Sequence, residues 1–433
     1  MSEVAVGIVA LFVLLAFFLT GIELGFAMAI IGFIGLTYLK SAEVALSFLA
    51  TDVYETFSSY GLTVIPLFIL MGQLAFNAGI AKRLYGMAHR FMGNVPGGLA
   101  IATVAGATAF KAICGSTPAT TATFASVAVP EMDKYAYDRK LSTGVVTIVG
   151  TLGNLLPPSV ILIILGILTE QSIGRLFLAG IAPGLLIAAL FVVVIVGWCK
   201  IDPSLGPKGG SFTWKEKMST LPEVIWPIAI FLVMMGGLLK GFFTPTEAGS
   251  VGTFAVLLLT IFKRDLNFRG FLASVADTLV TACMVFVLIA GSAVMGHFLA
   301  VTKIPMLAAD WVSGLPLPPW LVMAFILLIF EIGGSFIDDL AFMMLGVPIF
   351  FPAVAKLGFD PIWFCIIISI TVMIGVVIPP VASSVFIVKN ITKERMGVIY
   401  AGVVPFLISI IVCLILLFIF PQICLFLPNL LMR

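Results

Sequence analysis

Six stretches of this chain carry no Asp, Glu, Lys or Arg: residues 56–81, 141–169, 176–199, 278–302, 361–388 and 396–432, each 24 to 37 residues long. A helix needs about 20 apolar residues to cross a hydrocarbon core of ~30 Å, so every one of these runs is long enough to span a bilayer. Only 10% of the 433 residues are charged and 61% are hydrophobic, against roughly 25% charged in a soluble domain. The expected fold class is therefore an all-α polytopic membrane protein embedded in membrane lipid.

A formal net charge of +2 with two histidines argues against nucleic acid as a partner. The six cysteines form no CxxC pair and most lie in apolar runs, so neither a disulfide framework nor a transition-metal site is readable. Residues 4–19 have the apolar character of a signal peptide core. No Lys/Arg segment precedes them and a second span follows, so they read as a first, uncleaved transmembrane helix.

An internal repeat organises the rest. Residues 94–190 align without gaps to 316–412, and five of the six prolines in the first window fall on prolines of the second: Pro96/Pro318, Pro130/Pro352, Pro157/Pro379, Pro158/Pro380 and Pro183/Pro405. Random placement predicts about 0.6 coincidences. Identity is only 15 of 97 positions, so the prolines carry the relationship. The halves are 1–200 and 222–433, joined by a polar cytoplasmic linker at 201–221.

Spans in the first half are expected at 4–19, 24–39, 56–78, 145–168 and 176–198, giving about 10–11 transmembrane helices in all. Between the third and fourth lie two shorter arms within 96–130 that meet at Cys114-Gly115-Ser116-Thr117-Pro118. Lys82, Arg83 and Arg90 flank them on one side and Lys134, Arg139 and Lys140 on the other. Both flanks belong in the cytoplasm by the positive-inside rule. A segment entering and leaving on one side is a re-entrant hairpin, whose non-helical tip must be buried or line a cavity. Five crossings per half invert the second half, so its hairpin at 318–352 enters from outside and the N-terminus lies outside as well.

Two opposed hairpins, each followed by a broken span, form the architecture of a secondary transporter with a midplane site. The breaks are Gly150–Ser159 and Gly375–Ser384, each containing Pro-Pro, which frees backbone carbonyls that a continuous helix uses internally. Freed carbonyls with Ser, Thr and Asn oxygens suit a hard monovalent cation. The first tip begins a short helix at Ser116-Thr117, which serves as an N-cap, an anion site or an ion site. The second tip, Gly334-Ser335-Phe336-Ile337-Asp338-Asp339, carries acids that are costly at membrane depth. One rigid module of 94–168 with 316–388 is expected to slide against a scaffold built from the remaining helices. Glu23 is expected in a turn, His297 near a helix end, Lys111 snorkelling and Glu247 in a capping box; Glu331 has no evident role. No GxxxxGK[ST], HExxH or GxSxG motif is present, so enzymatic activity and ATP hydrolysis are unsupported.

At this point several strings together resemble the large membrane subunit of tripartite ATP-independent periplasmic (TRAP) transporters. They are GFFTPTEA at 241–248, GSTPAT at 115–120, Pro130-Glu131-Met132, GTLGNLLPPS at 150–159, TEQSIGRLFLAGIAPG at 169–184 and GSFIDD at 334–339. The resemblance implies an elevator-type importer in the bacterial inner membrane, driven by sodium ions and using no other cofactor. Its solute is an organic acid such as a C4-dicarboxylate or sialic acid, delivered by a periplasmic solute-binding protein, and a small four-helix membrane subunit completes the scaffold.

Carried over by motif, the resemblance implies one sodium site at Gly115, Ser116, Thr117, Thr151, Gly153 and Asn154. A second is implied at Ser335, Asp338, Gly375, Ile378 and Ala382, with the solute at Ser116, Ser159, Asp338 and Ser383. The family pattern has Ser where Cys114 and Thr117 stand, Thr at Ile378 and Gly at Ala382; Ile378 removes a hydroxyl from the second set. Two alternatives are a standalone sodium- or proton-coupled carboxylate carrier and a membrane-embedded scaffold subunit of a respiratory or enzyme complex. The latter predicts cofactor ligands or a chain of buried charges, for which two histidines and few intramembrane charges leave little material.

Overall fold

Short polar residues placed just before apolar runs set the helix starts. Ser41, Ser116, Asp138, Ser159, Ser172, Asn267 and Asp360 each accept a backbone N–H from the following first turn. Thr213 and Thr244 close full capping boxes with Glu216 and Glu247, satisfying donors that lipid cannot. The N–H and hydroxyl of Thr213 hold the Glu216 carboxyl below its ordinary range.

The computed structural model describes residues 2–432 except 19, 315, 337, 338 and 381, and only the backbone of 18, 312, 313 and 339. Helices Glu3–Phe18, Leu24–Leu39, Ala42–Ser58 and Val64–Asn77 lead to an amphipathic helix, Ile80–Met92. Gly98–Lys111 and Thr117–Lys134 form the first hairpin, followed by Arg139–Thr151, a break, Val160–Leu168 and Ile173–Ile201. The linker contains one short helix, Trp214–Ser219. The second half runs Pro222–Leu239, Pro245–Phe262, Phe268–Thr302, Ile304–Ser313, the hairpin Pro319–Phe336 and Asp339–Lys356, Pro361–Gly375, a break, Ser383–Thr392, Met396–Ile419 and a final Gln422–Leu431.

Adding 222 to Thr117–Lys134 returns Asp339–Lys356, and the same offset takes Glu3–Phe18 onto Pro222–Leu239 and Leu24–Leu39 onto Pro245–Phe262. Both Pro157-Pro158 and Pro379-Pro380 are cis. Among the described residues seven helices are long and apolar enough to cross a membrane; Leu24–Leu39 and Pro361–Gly375 are apolar but shorter.

One span differs from expectation. Residues 56–78 are not a single helix: Ala42–Ser58 ends, a 3-10 turn occupies Tyr60–Thr63, and Val64–Asn77 follows. Ser58, Ser59 and Gly61 are poor helix formers. At the same offset stand Val280, Thr281 and Cys283, and there Phe268–Thr302 continues unbroken for 35 residues.

Close helix contacts depend on small residues. A Cβ on Gly144 would overlap the backbone of Gly402, which brings Arg139–Thr151 against Met396–Ile419, and one on Gly291 would overlap Gly25. Without a hydrophobic drive between helices in lipid, such close backbone approach supplies the packing. Residues 141–151 and 362–375 are almost entirely buried, so both helices that precede the breaks lie at the centre of the molecule. The linker is pinned to the base of the first hairpin, where Gly97 N–H donates to the Gly206 carbonyl (2.8 Å) and Asp138 N–H to the Leu205 carbonyl (3.0 Å).

Candidate functional site

Pro157 and Pro158 bring no N–H, so Arg139–Thr151 decays through a 3-10 turn, Leu152–Asn154, and stops. Pro379 and Pro380 likewise bring no N–H, and Pro361–Gly375 stops at Gly375 without a 3-10 segment. The two breaks and the two hairpins converge on one cavity of about 180 Å³. Gly115, Ser116, Thr117 and Asn154 line it from the first half and Leu340, Val376 and Ser383 from the second. Gln73 of Val64–Asn77 and Thr281 of Phe268–Thr302 close its sides.

The first tip is latched to the first break. Thr117 Oγ1 donates to Asn154 Oδ1 at 2.6 Å, while Ser116 Oγ accepts from Ala119 N–H at 3.3 Å as the helix cap. Gly115 is required by close approach, because a Cβ there would overlap the Pro158 carbonyl oxygen. Asn154 is 4% exposed, and its Nδ2 is buried with no hydrogen-bond partner. That orphan donor stands beside the cavity, where an unsatisfied buried group costs roughly 1–3 kcal/mol.

Two expected site residues are engaged elsewhere. Ser159 is fully buried, caps Val160–Leu168 and donates to the Asn154 carbonyl at 2.8 Å, so its hydroxyl serves the break and not the solute cavity. The Thr151 hydroxyl donates to the Ile148 carbonyl of its own helix at 2.7 Å. The Asn154 carbonyl freed by the break also accepts from Ser369 Oγ at 2.6 Å, which fastens the two broken helices together.

Lys111 corrects an expectation. It does not snorkel: its side chain has 0% exposure and its ammonium turns inward, donating to the Ser116 carbonyl at 3.0 Å. Insertion scales charge roughly 2.5–3.5 kcal/mol for a lysine at a helix centre. Here the C-terminal carbonyl end of Gly98–Lys111 and the tip carbonyl face the charge.

At the second tip Asp338 lies outside the described residues. Ser335 is buried and donates to the Glu331 carbonyl at 2.8 Å. Gly375 stands directly against Gly334 and Ser335, where a Cβ would sit 3.2 Å from the Gly334 carbonyl carbon. Ile378 donates its N–H to the Ile374 carbonyl and brings no side-chain oxygen. Ala382 adopts the left-handed conformation (φ 37°, ψ 51°) and precedes Ser383–Thr392 without a side-chain cap. Glycine suits that conformation at less cost.

Several polar features were not expected. Asp52 is buried and pairs with His297 Nε2 at 3.1 Å, with Phe48 stacked on the imidazole at 4.4 Å. The partners are 245 residues apart, so no local signal marks them. Gln73 was findable as an isolated amide within an uncharged run. Both carboxylate oxygens of Glu331 are buried with no hydrogen-bond partner, beside an apolar crevice lined by Trp320, Leu327, Thr371 and Phe418.

Comparison with known proteins gives a consistent answer. The family model for the tripartite ATP-independent periplasmic transporter, DctM component, matches residues 9–423. The chain is 32% identical to the C4-dicarboxylate TRAP transporter large permease protein DctM of Pseudomonas aeruginosa, covering 91% of this chain and 92% of that one. It is 29% identical to the sialic acid TRAP transporter large permease protein SiaM of Vibrio cholerae, covering 95% of each. The ectoine TRAP transporter large permease protein TeaC of Halomonas elongata is 32% identical over 86% of this chain and 87% of its own.

Among solved structures, the YdaH transporter of Alcanivorax borkumensis shares the fold with a TM-score of 0.60 at 14% identity, covering 87% of this chain and 89% of that chain. MtrF of Neisseria gonorrhoeae does so with a TM-score of 0.58 at 16% identity, covering 88% and 84%. With a family match over nearly its whole length, the chain belongs to the DctM-component family of tripartite ATP-independent periplasmic transporters, as a multi-pass large permease subunit.

Proposed function

We propose that this permease imports a carboxylate-bearing solute across the bacterial inner membrane, driven by a sodium gradient. A periplasmic solute-binding protein delivers the solute at the outer face, and a small four-helix membrane subunit docks on the scaffold of helices from 4–39 and 222–262. The two breaks act as cation seats, and the solute lies between them. Movement is of the elevator type: the hairpins and broken helices of 94–168 and 316–388 slide as one body, with the N-terminus outside.

The observation that carries this reading is the cavity shared by Ser116, Thr117 and Asn154 on one side and Val376 and Ser383 on the other. It offers hydroxyls, an unpartnered amide donor and the N-terminus of Thr117–Lys134, all of which suit an anion. Relatives named for C4-dicarboxylate and sialic acid transport carry acids of that kind.

The test is uptake into proteoliposomes holding the permease and the small subunit, with and without the binding protein, under a sodium or a proton gradient. Uptake requiring both sodium and the binding protein is expected. Full uptake on a proton gradient in sodium-free buffer contradicts the sodium coupling, and full uptake without the binding protein favours a standalone carrier.

A further inference from the structure

A buried lysine reaches the first break. Lys111 lies at the end of the first hairpin arm with 0% exposure, and among the described residues no carboxylate stands within ion-pair distance of its ammonium. It donates a hydrogen bond to the Ser116 carbonyl at 3.0 Å. The ammonium packs directly on Gly153, where a Cβ would overlap Nζ and would lie 3.3 Å from Thr117 Oγ1. The ammonium thus sits between the Ser116 carbonyl and Gly153, next to the hydrogen-bonded Thr117–Asn154 pair, and these four residues are ones that the seat would offer to a sodium ion.

A lysine ammonium and a sodium ion make the same demand on their surroundings: several oxygens and no competing positive charge. Two cations side by side in a water-poor site repel strongly, because the low local dielectric does not screen them. The glycine at 153 is what admits the ammonium, since any side chain there would expel it.

We infer that the Lys111 ammonium is itself the cation of the first seat, held there in place of a bound sodium ion. This rests on the reading of the breaks as cation seats. A tethered cation travels with the hairpin on the loaded stroke and on the empty return, so it moves no net charge per cycle. A sodium ion in the same seat is released inside and adds one charge per solute. The permease therefore couples each solute to one sodium ion fewer than the same protein with the seat emptied.

The experiment measures sodium and solute uptake together, by dual isotope, in proteoliposomes containing the complete transporter, for the wild type and for Lys111→Ala. The inference expects the sodium-to-solute ratio to rise by one ion in the variant, with solute-coupled current rising by one charge per solute. An unchanged ratio in an actively transporting variant overturns it. Sodium-independent uptake by the wild type instead overturns the sodium reading on which it stands, so the two failures are distinguishable. A high-resolution structure of the wild type at saturating sodium needs no variant. Lys111 Nζ alone among the Ser116, Thr117 and Asn154 oxygens supports the inference, and a separate ion bound to those oxygens overturns it.

Discussion

The two hairpins share one backbone plan and differ in chemistry. Thr117–Lys134 and Asp339–Lys356 coincide at an offset of 222, yet Ser116-Thr117 in the first corresponds to Asp338-Asp339 in the second, Lys111 to Gly333, and Asn154 to Val376. One tip combines hydroxyls, an amide and a buried lysine; the other combines acids with an apolar break, Val376-Val377-Ile378. Their surroundings differ too. Gly98–Lys111 is buried along nearly its whole length, whereas Pro319–Phe336 exposes Phe325, Leu328, Ile329, Ile332 and Phe336. A repeat constrains where helices stop, through its prolines and close contacts, and leaves the side chains at the stops free to specialise.

The largest effect is expected where the halves differ in charge. If Asp338 neutralises a bound cation, Asp338→Asn abolishes solute uptake while the protein stays folded, because Asn caps a helix about as well as Asp. Uptake assays paired with thermal unfolding check this. Near-normal uptake would reduce Asp338 to a cap and remove the proposed electrostatic difference between the tips.

A middle-sized effect is expected where the first tip meets its break. Gly115→Ala drives a methyl into the Pro158 carbonyl, and overpacking of this kind costs typically about 1–3 kcal/mol. A lower unfolding temperature and weaker solute binding are expected, since one binding decade corresponds to about 1.4 kcal/mol. An unchanged unfolding temperature would show that the tip and the break are not held in contact.

The smallest effect is expected at the second break. Ala382 sits at φ 37°, and relieving a non-glycine residue from the left-handed region gains on the order of 1 kcal/mol. Ala382→Gly should raise the unfolding temperature slightly and leave the solute specificity unchanged. Destabilisation would mean that the Ala382 methyl, which is fully buried, contributes more packing than its backbone conformation costs.

Much of this architecture was legible in the sequence because its determinants are local. Uncharged runs mark spans, Pro-Pro marks breaks, and Ser116 and the capping box of Glu247 mark helix starts that the structure repeats. The split at Ser59 was missed because an uncharged run says nothing of helix propensity within it. The direction of Lys111 was missed because snorkelling is a rule for helix ends at an interface, and this helix ends at a buried tip. The family resemblance places Ser159 with the solute, but its hydroxyl is committed to the Asn154 carbonyl. The Ser369–Asn154 and Asp52–His297 contacts join residues more than 200 positions apart, and only the folded arrangement reveals them.

If the two unlike tips move as one body, they exchange exposure between the two faces of the membrane. In a variant lacking the native cysteines, single cysteines at Thr117 and Asp339 can be probed from each side with impermeant thiol reagents, with and without sodium and solute. Opposite changes are expected: Thr117→Cys reactive from the cytoplasm when Asp339→Cys is protected, and Asp339→Cys reactive from outside when Thr117→Cys is protected. Accessibilities that never change in opposite senses under any of these conditions would contradict it.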